Sequence, residues 1–225
     1  MRIKTWTGVS SLVVACNPTF APPVRSVHDG APGRLTNNQG DVTVALTTEA
    51  TGGASLSLPV APNTHIEVSG DVSPYWTMAG MGLRFTHPTM GNGFVRDLEL
   101  GLGGGVGGTL CGNHAQQPLT LNCDGSGATW DGRSAAQRAA TGAYLGGGIG
   151  RRWGIFTLFG RARVQGSVAT DLPVTFWWST LGGGELRLGP INVYLALGLA
   201  GYYDRMDNAA GALAEGGLAI PFNLD

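Results

Sequence analysis

Polar and apolar residues alternate with a period of two along most of the stretch 41–222. In segment 97–102, of sequence DLELGL, the three leucines share one parity and the two carboxylates share the other. Segments 159–165 and 185–188 repeat the pattern with arginines among the polar positions. Because successive side chains on a β-strand point to opposite faces, each segment would carry one apolar face and one charged face. The pattern predicts a chain built from strands whose two faces differ chemically.

About ten such segments follow one another, and short turn-like connections alternate with longer ones. A membrane-spanning barrel needs this arrangement, because its outer face meets lipid and its lumen is polar. The predicted fold class is all-β, a single closed antiparallel transmembrane β-barrel of about ten strands, with eight as the second choice. The strands are predicted at 41–50, 53–61, 63–72, 75–86, 93–109, 139–150, 155–167, 174–187, 191–203 and 210–222.

Composition supports this prediction without deciding it. Glycine accounts for 38 of the 225 residues, and many of these glycines fall inside strand segments, where they mark bends or close approach in a curled sheet. Lys4 is the one lysine among fourteen basic residues. This scarcity fits a genome rich in GC codons as well as a chain with little water-facing surface. The net charge of -1 gives no general attraction to nucleic acid.

The N-terminus has the features of an export signal. Arg2 and Lys4 precede a short apolar stretch, which predicts a signal peptide over 1–15. The sequence VVAC at 13–16 resembles the lipobox of bacterial lipoproteins. This resemblance implies cleavage before Cys16 and a lipid anchor on that residue. Ordinary signal cleavage nearby, with the cysteine incidental, is the alternative.

The next part of the chain shows no periodicity. Residues 16–40 contain four prolines and several glycines and asparagines, and we expect them to form a flexible N-terminal tether. Residues 41–225 are predicted to form the β-barrel domain.

The two remaining cysteines, Cys111 and Cys123, fall in the long polar segment 110–138. In an exported protein they would pair as a disulfide and close a loop. A metal site with His114 is the alternative, but it would lack the fourth ligand of a structural zinc site.

The polar parity of the strands defines a predicted lumen face that is rich in charge. Opposite charges on neighbouring strands could pair there, and a barrel of this size is narrow enough for side chains to fill. The predicted lumen charges are Glu49, Glu67, Asp71, Arg84, Asp97, Glu99, Arg161, Arg163, Glu185, Arg187 and Glu215.

Aromatic residues cluster at strand ends. Amphipathic rings favour the two membrane–water interfaces, so they are predicted to form aromatic girdles. The predicted girdle residues are Tyr75, Trp76, Trp153, Trp177, Trp178, Tyr202, Tyr203 and Phe222.

Over 41–222 the chain resembles small bacterial outer-membrane β-barrel proteins. Its last strand, ending near Phe222, resembles the closing strand that the barrel-insertion machinery recognises, although Asn223, Leu224 and Asp225 follow the aromatic residue. The resemblance implies a Gram-negative outer-membrane location, with outer-membrane lipid and the insertion machinery as partners. The loop 110–138 would then lie outside the cell, where it could contact an extracellular or envelope protein.

No catalytic constellation stands out, which favours a barrel without enzyme activity and with a structural, envelope or surface-binding role and a largely filled lumen. A lipid-modifying barrel enzyme is one alternative, since His65, Glu67 and Ser69 share a predicted face. A Ser–His hydrogen bond within that strand is excluded by a span of about 13 Å. A small channel and a lipid-anchored soluble β-barrel or sandwich binder are the others. No cofactor and no metal are expected.

Overall fold

The computed structural model describes residues 4–6, 21–35, 37–48, 51–73, 76–90, 93–107, 138–169, 174–203 and 208–224. In these ranges the ordered elements are all β-strands, and no helix long and apolar enough to span a membrane occurs among them. The strands are β1 (Lys4–Trp6), β2 (Gln39–Thr47), β3 (Gly52–Ala61), β4 (Thr64–Val72), β5 (Trp76–Met90), β6 (Phe94–Gly107), β7 (Arg138–Trp153), β8 (Phe156–Ala169), β9 (Thr175–Leu188), β10 (Ile191–Tyr203) and β11 (Asn208–Asn223).

Strands β2 to β11 form a closed antiparallel barrel. Each strand pairs with its sequence neighbour, and β11 pairs back with β2, for example through Leu218 opposite Val44. The predicted count of ten barrel strands is confirmed. Strand β1 lies outside this ring and pairs in parallel with the start of β11, Lys4 opposite Ala209. Closure leaves no open sheet edge along the paired part of the barrel.

The two ends of the barrel differ in their connections. At the turn end, β3 and β4 are joined by Pro62 and Asn63, and β9 and β10 by Gly189 and Pro190. Asn63 and Gly189 adopt φ angles of 59° and 63° there, as tight hairpin turns require. At the loop end lie the connections 48–51, 73–75, 108–137, 170–174 and 204–207. The strand termini Gln39 and Asn223 both lie at the turn end.

The outward face of the barrel is apolar and exposed. Leu102 and Leu197, at 65% and 63% exposure, are typical of residues across all ten barrel strands. Charged side chains of the other parity are buried, as Glu99 and Arg163 are at 1% each. A soluble barrel or sandwich binder would bury its apolar face and expose its charges, and the structure does the opposite.

Residues 21–35, here called the lumen segment, lie inside the barrel. Fourteen of the fifteen are buried, and Ser26 is half-buried. The flexible tether expected over 16–40 needs correction for this part, because its backbone and side chains bond to inward-facing residues of the barrel. The segment is irregular, with Asp29, Gly30 and Gly33 at positive φ.

Candidate functional site

The candidate site is the barrel lumen together with the lumen segment. Nine of the eleven predicted lumen charges are buried at inward positions. Arg187 is half-buried, and Glu49 lies outside the described residues. The nine are Glu67, Asp71, Arg84, Asp97, Glu99, Arg161, Arg163, Glu185 and Glu215.

One group of these charges centres on Glu99 of β6. Its carboxylate lies 2.9 Å from Arg161 Nη2, 2.8 Å from Arg163 Nε and 3.4 Å from Arg84 Nη2. Arg161 also reaches Asp97, at 3.2 Å. Arg84 lies on β5, directly opposite Glu99, whereas Arg161 and Arg163 lie on β8, which is not hydrogen-bonded to β6. Breaking a buried pair by removing one partner typically costs about 3–5 kcal/mol, so the cluster constrains the cross-section of the barrel.

The barrel wall carries an excess of buried negative charge. Seven buried carboxylates lie on its strands against three buried guanidinium groups. The lumen segment supplies two more guanidiniums, from Arg25 and Arg34. Arg25 pairs with Glu67, and Arg34 pairs with Asp41 and, at 3.2 Å, with Glu185. The two guanidiniums of the segment therefore compensate part of the charge that the wall alone leaves unpaired.

Asp29 is the one carboxylate of the lumen segment. It pairs with Arg25 within the segment and with Arg84 of β5, whose Nη2 lies 2.7 Å away. Ser55 donates a hydroxyl hydrogen bond to its other oxygen at 2.9 Å. The φ of 61° at Asp29 is a left-handed conformation that Asp tolerates better than most residues.

His28 bridges two further strands. Its Nδ1 lies 3.0 Å from Glu215 Oε2, and its Nε2 lies 2.8 Å from Ser179 Oγ. Because a carboxylate accepts only, Nδ1 carries the proton, and in the neutral form of the ring Nε2 would accept from the serine hydroxyl. The hydroxyl of Tyr194 donates to Glu215 at 2.9 Å. This serine–histidine–glutamate order matches that of hydrolase triads, but Ser179 and His28 are only 6% and 1% exposed.

The barrel also binds the backbone of the lumen segment through side chains. The His28 N–H donates to Glu215, and the Ala31 N–H donates to Glu185 at 3.0 Å. Gln165 accepts from the Arg25 N–H at 2.9 Å and donates to the Arg25 carbonyl at 2.7 Å. Arginines donate in the same way to segment carbonyls, as Arg163 does to Val27 and Arg161 to Gly30. Buried peptide groups are costly without partners, so the lumen forms a matched binding site for this polypeptide.

The other side of the segment packs against apolar surface. Val27 and Ala31 belong to a buried cluster with residues of β2, β8, β9, β10 and β11. Small residues on the wall make room for it, because a Cβ on Gly53 would lie 2.4 Å from Val27 Cγ2. Val24 packs against Gly103 and Gly142 in the same way, because a Cβ added at either glycine would lie 2.6 Å from a methyl carbon of Val24.

The residues of the predicted aromatic girdle divide between the two faces of the barrel. Trp153 and Tyr203 point outward at opposite ends of the barrel, with exposures of 46% and 54%. Trp178 and Phe222 also have outward parity, and Tyr75 lies outside the described residues. Trp76, Trp177 and Tyr202 instead have inward parity. Trp177 packs against Tyr202 with ring centroids 5.3 Å apart and ring planes tilted by 46°, and it donates to the carbonyl of Ala21, so this pair bounds the lumen segment rather than the lipid.

The residues considered for a lipid-modifying enzyme do not form a triad. His65 Nε2 lies 3.1 Å from the backbone carbonyl of Gln39, while Glu67 pairs with Arg25 and Arg84. Cys16, Cys111 and Cys123 lie outside the described residues, as does His114. Among the described residues no cluster of three or more metal-ligating side chains occurs.

No protein-family model matches the chain, and no curated protein matches it. Bacterial outer-membrane barrels are among its structural neighbours. The N-terminal β-barrel domain of OprF from Pseudomonas aeruginosa has a TM-score of 0.43 and 11% identity, covering 84% of this chain and 100% of that one. The outer-membrane protease OmpT from Escherichia coli has a TM-score of 0.41 and 10% identity, with 83% and 97% covered. A porin has a TM-score of 0.32 and 14% identity, with 84% and 59% covered.

Proposed function

We propose that this chain is an outer-membrane β-barrel protein with a structural, envelope or surface-binding role, whose lumen is closed by its own segment 21–35. The observation that supports this most is the burial of that segment among charged side chains of the barrel wall. A route for solutes would have to displace a polypeptide held by ion pairs and by hydrogen bonds to its backbone.

The outward face supports a membrane location. An exposed apolar surface on all ten strands would be an aggregation hazard in water, but it matches the hydrocarbon of a bilayer. At the turn end, Arg151 lies over the rings of Phe94 and Trp153, at 5.5 and 5.2 Å from their centroids, as side chains at a polar interface would.

Cell fractionation and gel mobility test the location. We expect the protein in the outer-membrane fraction, and we expect unboiled protein to migrate differently from boiled protein because a closed barrel resists detergent. Recovery from the soluble periplasm without any mobility shift would refute the membrane-barrel proposal.

Conductance in planar bilayers tests the closed lumen. We expect the reconstituted wild-type protein, verified as folded by its mobility shift, to give no steady current. Stable single-channel steps would favour the small-channel alternative and would show that ions pass beside the lumen segment.

The arrangement of Ser179, His28 and Glu215 favours one second candidate, a hydrolase acting on lipid esters. The lumen segment covers the Ser179 hydroxyl and also carries His28, so a movement that admits substrate would have to leave His28 beside Ser179. A serine-directed fluorophosphonate probe separates the two roles. We expect no labelling of the folded protein, whereas labelling that is lost in Ser179→Ala would support the hydrolase.

Contact with an envelope or extracellular partner is proposed for the predicted loop 110–138, nearly all of which falls in the connection between β6 and β7. The first test is its exposure on intact cells. We expect added trypsin to cleave the chain between the two strands, and complete protection would contradict a surface role.

A further inference from the structure

The course of the lumen segment has a definite direction. At one extreme, the Ala21 N–H donates to Thr175 Oγ1 at 3.0 Å, and Trp177 Nε1 donates to the Ala21 carbonyl at the same distance. Thr175 is the first residue of β9 and Trp177 the third, so Ala21 lies at the loop end.

The opposite extreme lies at the turn end. Arg34 bonds to Asp41 near the start of β2, and the Gly33 carbonyl accepts from Arg152 near the end of β7. Just beyond the segment, the N–H of Asn63 in the β3–β4 turn donates to Asn37 Oδ1 at 2.9 Å. The chain therefore runs through the whole lumen and leaves it at the turn end before it enters β2.

We propose that the polypeptide preceding Ala21 emerges at the loop end, on the side of the membrane opposite to Gln39 and Asn223. The inference rests on the proposed membrane-spanning barrel. In an outer-membrane barrel with its longer loops outside, the N-terminal end of the exported chain is then on the cell surface, while the strand termini face the periplasm.

The short chain length between Ala21 and Cys16 limits where Cys16 can lie. Cys16 precedes Ala21 by five residues, which span at most about 18 Å when fully extended. The hydrocarbon core of a bilayer is about 30 Å thick, so a residue tethered this closely to the loop end cannot reach the opposite leaflet. A lipid on Cys16 would accordingly insert on the loop side. Strand β1, which falls within the predicted signal peptide, also lies at the loop end, beside Ala209.

Site-directed labelling on whole cells tests the direction without assuming which way the barrel faces. The parent chain carries Cys111→Ser and Cys123→Ser and sets the background. Single additions are Thr19→Cys before the segment, Val174→Cys next to the loop-end start of β9, and Pro190→Cys in the turn after β9. Val174 is 48% exposed and Pro190 is exposed, so labelling at these positions reports the accessibility of the loop end and of the turn end of β9, respectively.

With a membrane-impermeant maleimide, we expect Thr19→Cys and Val174→Cys to react on intact cells, and Pro190→Cys to react only after the outer membrane is permeabilised. If Thr19→Cys follows Pro190→Cys, the proposed direction is wrong. If Val174→Cys and Pro190→Cys behave alike, the membrane-spanning barrel itself fails, and the two failures are thus distinguishable. Each variant is used only if its boiled and unboiled mobilities match those of the parent, and Asn17→Cys provides a second position.

Discussion

Substitution of Asp29 by asparagine is expected to loosen the lumen segment without disturbing the barrel wall. Asp29 pairs with Arg25 and with Arg84 at 2.7 Å, and it accepts a hydrogen bond from Ser55. Asparagine has the same shape and tolerates the φ of 61° at this position, so the substitution removes charge rather than conformation.

The size of the expected free-energy loss depends on the ion pairs that Arg25 and Arg84 keep in the variant. Breaking a buried ion pair costs about 3–5 kcal/mol when the partner is left uncompensated. Arg25 and Arg84 both retain Glu67, and Arg84 retains Glu99 at 3.4 Å, so the lower bound applies. A loss of about 3 kcal/mol raises the population of the released segment somewhat more than a hundredfold.

Hydrogen exchange, followed by mass spectrometry on the protein in lipid nanodiscs, measures the population of the released segment. We expect the protection of the His28 and Ala31 amides to fall by that factor, while the amides of β8 keep theirs. Ser26→Ala is the matched control, because its hydroxyl has no hydrogen-bond partner among the described residues. Unchanged protection in Asp29→Asn, or equal losses in Ser26→Ala, would refute the assigned role of these ion pairs.

Three further outcomes are expected. Gly53→Val places a side chain where the lumen segment packs and should raise exchange in the segment, an overpacking cost of about 1–3 kcal/mol, whereas the outward-facing Gly160→Val should not. Leu100→Arg, in the middle of the outward face of β6, should lower the free energy of unfolding from lipid vesicles by about 2–4 kcal/mol. The control Leu224→Arg, beyond the end of β11, should lower it by at most about 1 kcal/mol. Equal losses would contradict the membrane placement. Tyr194→Phe removes the hydrogen bond from β10 to the buried carboxylate of Glu215 on β11 and should lower the free energy of unfolding from lipid vesicles by about 1.5–3 kcal/mol; no change would mean that this hydroxyl contributes nothing.

The barrel could be predicted because its information is local and repeated. The outward face can be assigned to Leu100 from its neighbours Glu99 and Gly101 alone, and the same rule applies on every strand. Strand ends were less accurate, as with β7, which runs to Trp153 rather than 150, because hydrogen bonding continues past the last alternating residue.

The lumen segment could not be predicted from periodicity. Its residues are irregular, and prolines and glycines in that stretch are equally typical of a tether. Its partners lie far away in sequence, for example 187 residues between His28 and Glu215. One signal was present, since the predicted lumen held seven carboxylates against four arginines. Cations from elsewhere in the chain would stabilise such an excess, and Arg25 and Arg34 are the nearest candidates upstream.

The inward aromatics were misplaced for a related reason. Trp177 and Trp178 are adjacent, so they must point to opposite faces, and a clustering argument assigns both to the lipid interface. Parity alone assigns Trp177 to the lumen, where it bonds to Ala21.

A disulfide trap tests most directly whether the chain's own segment occupies the lumen. The background carries serine in place of Cys16, Cys111 and Cys123. The test variant combines Val27→Cys with Gly53→Cys, because a Cβ added at Gly53 would face Val27. The control combines Val27→Cys with Gly52→Cys, which lies on the opposite face of β3. After mild oxidation of folded protein in membranes, mass spectrometry should detect the crosslink between 27 and 53 and none between 27 and 52. Absence of the first crosslink in a barrel that keeps its heat-dependent mobility shift would contradict the occupied lumen.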